Sequence, residues 1–410
     1  MSTTKIPWQD RDYNGVESHI KEMLGKYEED SGLALERRKA AYIALPEREK
    51  YLTFVAEDDV STIRFKYTGE NEQALTISVS TDYGGTWVNK QASPEGTLLA
   101  HLKRGEMLLV RGDNDKYGEV TGEPANRFDI TQRTAAIGNI MSLLSSKDFA
   151  TNLEGGALAF NHIFDYCTGL ISAPLLPATS LDNWCYAGMF NGCTSLATAP
   201  LLPATTLAND CYYGMFYHCS SLTTAPALPA TTLMLGCYEY MFALCYSLIV
   251  APELPATTLA QECYRGMFNK CQSLVNAPEL PATTLFGACY QNMFRDCTSL
   301  TETPELPATT LAISCYWEMF SGCTALTVAL TLPATTLVQS CYGYMFNNCS
   351  SLRYVKCLAT DISARYSVSH WLTGVPNTGT FVKADSMTGW PSGADGIPSG
   401  WTVVNESDEN

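Results

Sequence analysis

The first 150 residues of this 410-residue chain contain no cysteine, and residues 151–410 contain only 7 Lys and Arg. Over the whole sequence 42 acidic residues face 26 basic ones, a net charge of −16. The counterion release that drives nucleic-acid binding is therefore missing, and DNA, RNA and anionic membranes are set aside as ligands. No run of 18 apolar residues occurs, and the opening MSTTKIPWQDRD has no apolar stretch of the secretory kind. No membrane insertion is expected, and the chain is read as made and folded in cytosol. Walker, HExxH, GxSxG and dinucleotide motifs are also missing, so no enzyme and no cofactor are expected. With 46% hydrophobic and 17% charged residues the composition is that of a globular protein.

What the sequence does contain is a repeat. The tetrapeptide LPAT recurs at Leu176, Leu202, Leu228, Leu254, Leu280, Leu306 and Leu332, seven copies at a period of 26. Such a period marks stacked units, none of which buries its apolar face alone. In the second copy, LPATTLANDCYYGMFYHCSSLTTAPA, helical geometry gathers Leu207, Cys211, Tyr212, Met215, Phe216 and Cys219 within about 180° of arc. Asn209, Asp210, Tyr213, Gly214 and Tyr217 fall opposite. The positions that stay fixed between copies thus form the expected buried face. SLTTA reads as a short strand and LPATTL as an extended return, which predicts one short strand and one helix per turn. Both ends show sealing units: Phe160–Pro174 matches half a repeat, with Ala159 where later copies have Cys. After Cys341 the pattern gives way to SLRYVKCLATDIS and a tail holding Trp371, Trp390 and Trp401.

The 16 cysteines form two ladders of period 26, from Cys185 to Cys341 and from Cys167 to Cys349, with Cys357 outside. Pairs within a repeat are C-x₇-C, too wide for the close pairs of zinc sites, so no metal is expected. Reduced, buried thiols stacked turn on turn are the reading. A nucleophilic role would need one copy made different by a base, and His218 beside Cys219 is the one pair considered; His218 lies in a variable column.

Residues 51–125 alternate as antiparallel strands, with Ile63, Phe65 and Tyr67 in STIRFKYT and Leu75, Ile77 and Val79 in ALTISVST. The hairpin STDYGGTW, Ser80 to Trp87, fits the Asp-box pattern of sialidase propellers, in which the Asp caps the turn and the Trp packs beneath it. The RGD at Arg111–Asp113 and the calcium-loop-like DNDKYGE at Asp113–Glu119 are given no role, since Tyr117 occupies a ligand position and Pro124 the closing one. In the first 50 residues Val16, Ile20, Met23 and Leu24 form one helical stripe, read as an anchor for assembly or self-association, with docking on the chain's own sandwich as the alternative. LALERRKAAYIAL supplies a second helix.

Two sets of repeat positions invite a binding role. Variable columns carry Trp184, Tyr213, Tyr217, Tyr240, Trp317 and Tyr344, expected as exposed aromatics suited to glycan or protein recognition. Glu253, Glu279 and Glu305 share one column on three consecutive turns and are expected roughly 5 Å apart at strand spacing. That spacing matches a retaining-glycosidase pair. Without a pocket the ladder reads as a solvated acidic stripe, with a weak cation site and a glycan-cleaving enzyme as lesser readings.

The core CYYGMFYHCSSL followed by LPATTL resembles the BspA-like leucine-rich-repeat family of gut Bacteroidales and their crAss-like phages. GNIMSLLSSKDF, CLATDIS and GIPSGWTVVN resemble flanks that accompany such repeats, and IPWQDRDYNGVESHIKEML is similar to N-termini of phage virion proteins. The resemblance implies an α+β fold: a leucine-rich-repeat solenoid preceded by a small antiparallel β-sandwich and an N-terminal helical segment. The expected organisation is an anchor over 1–50, the sandwich over 51–125, a junction and cap over 126–155, the solenoid over 156–363 and a C-terminal cap over 364–410. It further implies a non-enzymatic phage tail or head appendage that holds other virion proteins through its N-terminus, forms a homo-oligomer and binds a bacterial surface glycan or protein. A host-encoded adhesin at the bacterial cell surface is the alternative.

Overall fold

The computed structural model describes residues 31–68, 74–119, 126–147, 149 and 152–409. The stripe of Val16, Ile20, Met23 and Leu24 lies outside them. The second expected helix is present as α1 (Ser31–Ala44). It docks on the sheets that follow: Tyr42 is buried with Tyr51, Tyr83 and Leu109, and its hydroxyl lies 2.7 Å from Thr53 Oγ1.

Two sheets share one core. The larger has the order β4-β3-β6-β1-β8-β9, and the smaller the order β5-β2-β7. Their strands are β1 (Leu52–Ala56), β2 (Val60–Tyr67), β3 (Thr76–Ser80), β4 (Val88–Gln91), β5 (Thr97–Lys103), β6 (Met107–Arg111), β7 (Asn126–Ile130), β8 (Thr134–Ile137) and β9 (Leu170–Ser172). The period-2 alternation accounts for β2 and β3: Ile63, Phe65, Ile77 and Val79 are buried while their neighbours reach solvent. Phe54, Phe65 and Phe128 meet between the sheets, with ring centroids 4.9 and 5.4 Å apart. Strands β7 and β8 complete the two sheets, so residues 126–137 belong to this unit rather than to a junction.

The Asp-box hairpin performs the expected structural job. Asp82 accepts hydrogen bonds from Ser80 Oγ and from the N–H and hydroxyl of Thr86 at 2.7, 2.8 and 3.0 Å. Burial pushes the Asp82 carboxyl up, but the Thr86 N–H, the two hydroxyls and the Arg38 charge outweigh it and leave the group below its ordinary value. Trp87 packs edge-on against Tyr51, with Arg111 over its ring. Asp113 of the RGD caps the turn at Ser146, and Tyr117 is buried with its hydroxyl donating to Leu143 O.

From residue 152 onward the chain runs in stacked turns. Parallel bridges join Ser180 to Thr206, Thr224 to Val250, Thr258 to Thr284 and Glu302 to Val328, each pair one 26-residue period apart. The expected helix is not there: among the described residues no α-helix follows α1. In its place the segment from Asp182 to Cys193 is a run of overlapping tight turns. Cys185, Ala187, Met189, Asn191 and Cys193 each donate to the carbonyl three residues back. The N–H groups between them leave the turn, and Tyr186, Gly188, Phe190 and Gly192 donate to Cys211, Tyr213, Met215 and Tyr217 of the next turn at 2.8–3.0 Å. Half the backbone donors thus fasten one turn to its neighbour, which a helix could not do.

The reason lies in a period of four rather than 3.6. Trp184, Gly188 and Gly192 have positive φ, as do Asp210, Gly214 and His218 one turn on, and every fourth residue continues so. Gly, Asn and Asp fill 10 of these 21 positions between Trp184 and Asn348, since the left-handed region costs other residues roughly 1–2 kcal/mol; at the remaining 11 the bonds to the next turn hold the conformation. The fixed pairs Cys185–Tyr186 and Met189–Phe190, closed by Cys193, follow the same period of four and point inward.

Stacking of these pairs builds two aromatic ladders. Phe128, Phe164, Phe190, Phe216, Phe242, Phe268, Phe294, Phe320 and Phe346 stack at 5.5–5.8 Å. Tyr117, Phe160 and Tyr186 begin a second run that continues through Tyr342 to Trp371. Both ladders start in the sandwich, and β9 of the first turn pairs parallel with β8. The sheets therefore seal the front of the stack. At the back β10 (Val328–Leu332), β11 (Tyr354–Cys357), β12 (Thr380–Lys383) and β13 (Thr402–Asn405) form a parallel sheet, and Trp390 stacks on Trp371 at 5.4 Å. Trp371 and Trp401 donate their indole N–H groups to Gly396 O and Pro376 O.

Candidate binding face

All 16 cysteines are buried and unpaired. The ladder from Cys167 to Cys349 has a role beyond filling space: Cys219, Cys245, Cys271, Cys297, Cys323 and Cys349 each donate Sγ–H to the carbonyl of the Phe 29 residues earlier, at 3.1 Å. These weak bonds sew turn to turn. His218 does not address Cys219, whose thiol is so engaged; its ring meets the Tyr246 ring edge-on. Burial pushes the thiols of Cys185, Cys245 and Cys349 up to about 12. Native protein treated with a thiol reagent at neutral pH is therefore expected to label few cysteines and, once denatured, all 16. Rapid labelling of most thiols without denaturant would contradict the packing described.

The variable columns line one face of the stack. Five of the six aromatics there are half-buried rather than exposed, and only Tyr217 is open, at 37%. Their burial follows from what the next turn places beneath them. The Tyr240 ring lies over Gly266, where an added Cβ would fall 2.2 Å from the ring, and Trp317 covers Gly343 in the same way. The rings also meet sideways: Trp184 with Tyr213 at 5.5 Å, Tyr213 with Tyr240 at 6.2 Å, and Trp317 with Tyr344 at 5.1 Å. Tyr344 in turn stacks on His370.

Glu253, Glu279 and Glu305 are exposed on a different stretch of the turn, each preceding the leucine of LPAT. Among the described residues no cluster of His, Cys, Asp and Glu could hold a metal ion.

Charge on the aromatic face comes from residues that the sequence reading did not single out. Arg265 lies 3.2 Å from Glu239 and 3.5 Å from Glu262, and its guanidinium sits over Tyr240. Arg295 pairs with Glu318 and, at 3.7 Å, with Asp296. Burial pushes Glu239 up to about 7, with Arg265 opposing and the charges of Glu262 and Asp210 adding. Burial, helped by the Glu262 charge, pushes Asp210 up to about 6. A signal was present: between residues 151 and 350 the only basic residues are Arg265, Lys270 and Arg295.

These two carboxyls hold their protons more tightly in the folded chain than in the unfolded one. Each therefore makes stability fall as pH rises from its ordinary value to its folded value, from 4.5 to about 7 for Glu239 and from 3.8 to about 6 for Asp210. Glu239→Gln is expected to flatten the decline in melting temperature between about pH 5 and pH 8, and to melt no lower than the parent at the upper end. Parallel melting curves across that range would show that Glu239 carries no such penalty.

Compared with protein-family models, with curated proteins and with solved structures, the chain matches none.

Proposed function

We propose that the chain is a non-enzymatic surface-recognition protein, a leucine-rich-repeat solenoid of the BspA-like kind carried as a phage tail or head appendage. The observation that supports this best is the aromatic face. Trp184, Tyr213 and Tyr240, then Trp317, Tyr344 and His370, run sideways across consecutive turns, each fixed by its neighbours. Rigid half-buried rings with open edges give contact area at little entropic cost, which suits stacking against sugars or peptide side chains. The bacterial envelope as target and the virion as carrier come from the resemblance of CYYGMFYHCSSL and IPWQDRDYNGVESHIKEML to their families.

The test is adsorption of purified protein to Bacteroidales cells. Combined Ala replacement of Tyr213, Tyr217 and Tyr240 should abolish adsorption while leaving the circular dichroism unchanged. Full adsorption by that variant would move recognition elsewhere, for instance to the strip of Glu253, Glu279 and Glu305. The anchor is tested separately by removing residues 1–30, which spares α1 and its docking on the sheets. The shortened chain should fold and bind cells yet fail to enter particles or oligomers, as judged by light scattering and particle assembly. Portal, capsid and tail genes beside the coding sequence would agree with a virion role, and an isolated chromosomal locus with an adhesin.

A further inference from the structure

Between Tyr217 and Arg295 the aromatic face is indented by a groove of about 290 Å³, lined by Tyr217, Tyr240, Leu244, Asn269, Lys270 and Arg295. From its geometry we infer that this groove binds an acidic sugar unit of a surface glycan, a deepening that rests on the recognition role proposed above. Three observations converge on it.

The first is charge placement. Two hundred residues of repeat, 151 to 350, contain three basic side chains, and all three lie on this face, two of them lining the groove. The chain otherwise carries a strong excess of negative charge, and such a surface repels acidic polymers. At physiological salt the field of a charge is screened within about 8 Å, and no carboxylate stands among the side chains lining the groove, whereas Lys270 and Arg295 do. Arg265 and Arg295 are balanced by the carboxylates they pair with, so an acidic glycan would find its attraction at Lys270.

The second is that the cations are not equally occupied. Arg265 is held by Glu239 and Glu262, and Arg295 by Glu318 and Asp296. Lys270 is exposed and makes no ion pair or side-chain hydrogen bond among the described residues. Its backbone is held in a left-handed conformation at φ 62°, and its N–H is bound to Arg295 O of the next turn at 2.7 Å. The ammonium is thus a donor of three hydrogens tethered to a rigid position, with a partner still to come.

The third is the lining itself. Tyr240 is fixed over Gly266, Tyr217 is the most open of the six candidate rings, and the half-buried Asn269 offers both a donor and an acceptor beside Lys270. A flat apolar surface, an amide and a cation are the groups that a carboxylated or phosphorylated pyranose can satisfy together. The volume lies at the lower end of small-ligand sites, room for one sugar-sized unit while the rest of the glycan follows the face.

A panel of immobilised oligosaccharides tests this: galacturonic-acid, sialic-acid and phosphosugar oligomers, each beside its neutral parent, with an acidic peptide as a further probe. The intact protein should bind at least one acidic oligomer at least tenfold more tightly than its neutral parent, with affinity falling as salt rises. Lys270→Gln, at an exposed side chain, should lose most of that preference, whereas Lys383→Gln, outside the groove, should keep it. Equal binding of acidic and neutral forms would overturn the inference and leave surface recognition standing. So would cell adsorption that depends on Tyr213, Tyr217 and Tyr240 but not on Lys270, or tighter binding of the peptide than of any sugar. Failure of every oligosaccharide to bind would also overturn it, and cell adsorption would then show whether the broader role falls too.

Discussion

Removing residues 254–279, one whole period, should leave a folded chain that still melts cooperatively, whereas removing residues 254–266 should not. The first deletion joins Glu253 to Leu280, the same junction that Glu279 makes with Leu280 in the parent. Tyr238 then faces Tyr290, Phe242 faces Phe294, and the Tyr238 N–H, which meets Cys263 O in the parent, finds Cys289 O. Everything lost is one turn and one interface out of many. The shorter deletion removes Cys263 and Tyr264 and shifts all that follows by half a turn. An odd shift also exchanges the N–H groups that bond within a turn with those that bond between turns, so donors meet donors and buried polar groups go unpaired. Far-ultraviolet circular dichroism and thermal melting should show a native-like spectrum for the first variant and a collapsed or aggregated chain for the second. Indistinguishable curves would refute the stacking register.

A second large effect is expected from Phe268→Ala. The ring is fully buried in the middle of its ladder, 5.8 Å from Phe242 and 5.6 Å from Phe294. Loss of a buried Phe costs about 3–5 kcal/mol where the surroundings cannot collapse. The two ring contacts account for about 0.5–1.5 kcal/mol each of that. Collapse is hindered here because the flanking turns are locked in register by backbone bonds on both sides, from Phe242 N to Met267 O and from Phe268 N to Met293 O. Stability in a stack is passed only from neighbour to neighbour, so the weakened interface should also divide the cooperative unit. Denaturant unfolding should show a lower midpoint and a broader or two-step transition. A loss under about 1 kcal/mol, with a single sharp transition, would mean that the ladder repacks around the gap.

Much of this arrangement was legible in the sequence, and the exceptions have definite causes. The period, the inward columns and the alternation of β2 and β3 could be read because each is a repetition along the chain. The expected helix came from the columns of Leu207, Cys211, Tyr212, Met215, Phe216 and Cys219. Over so short a segment a period of four drifts from 3.6 by about 40° per step, and both fit within half a circle. What separates them is the enrichment of Gly, Asn and Asp at the every-fourth positions, 10 of the 21 from Trp184 to Asn348, a backbone signal rather than a hydrophobic one. The half-burial of Tyr240 and Trp317 could not be read from their own columns, since it depends on Gly266 and Gly343 one period later. The clustering of Arg265, Lys270 and Arg295 was legible as an anomaly of composition; only the geometry placed it beside Tyr217 and Tyr240.

The pairing of β9 with β8 has a consequence for the order in which the chain acquires its shape. Every strand of the two sheets at the front of the stack except β9 is made by Ile137, ahead of every repeat. During synthesis they leave the ribosome first, and β8 then offers a finished edge to the first turn. Each later turn bonds to a predecessor 25 or 26 residues back, so loop closure is short and of nearly constant length throughout. This register allows the nascent chain to grow as a crystal grows, by addition to one face, with a single unfinished layer exposed at any moment. Apolar sequence that would aggregate if released all at once reaches water only one turn at a time, until Trp371, Trp390 and Trp401 close the last layer.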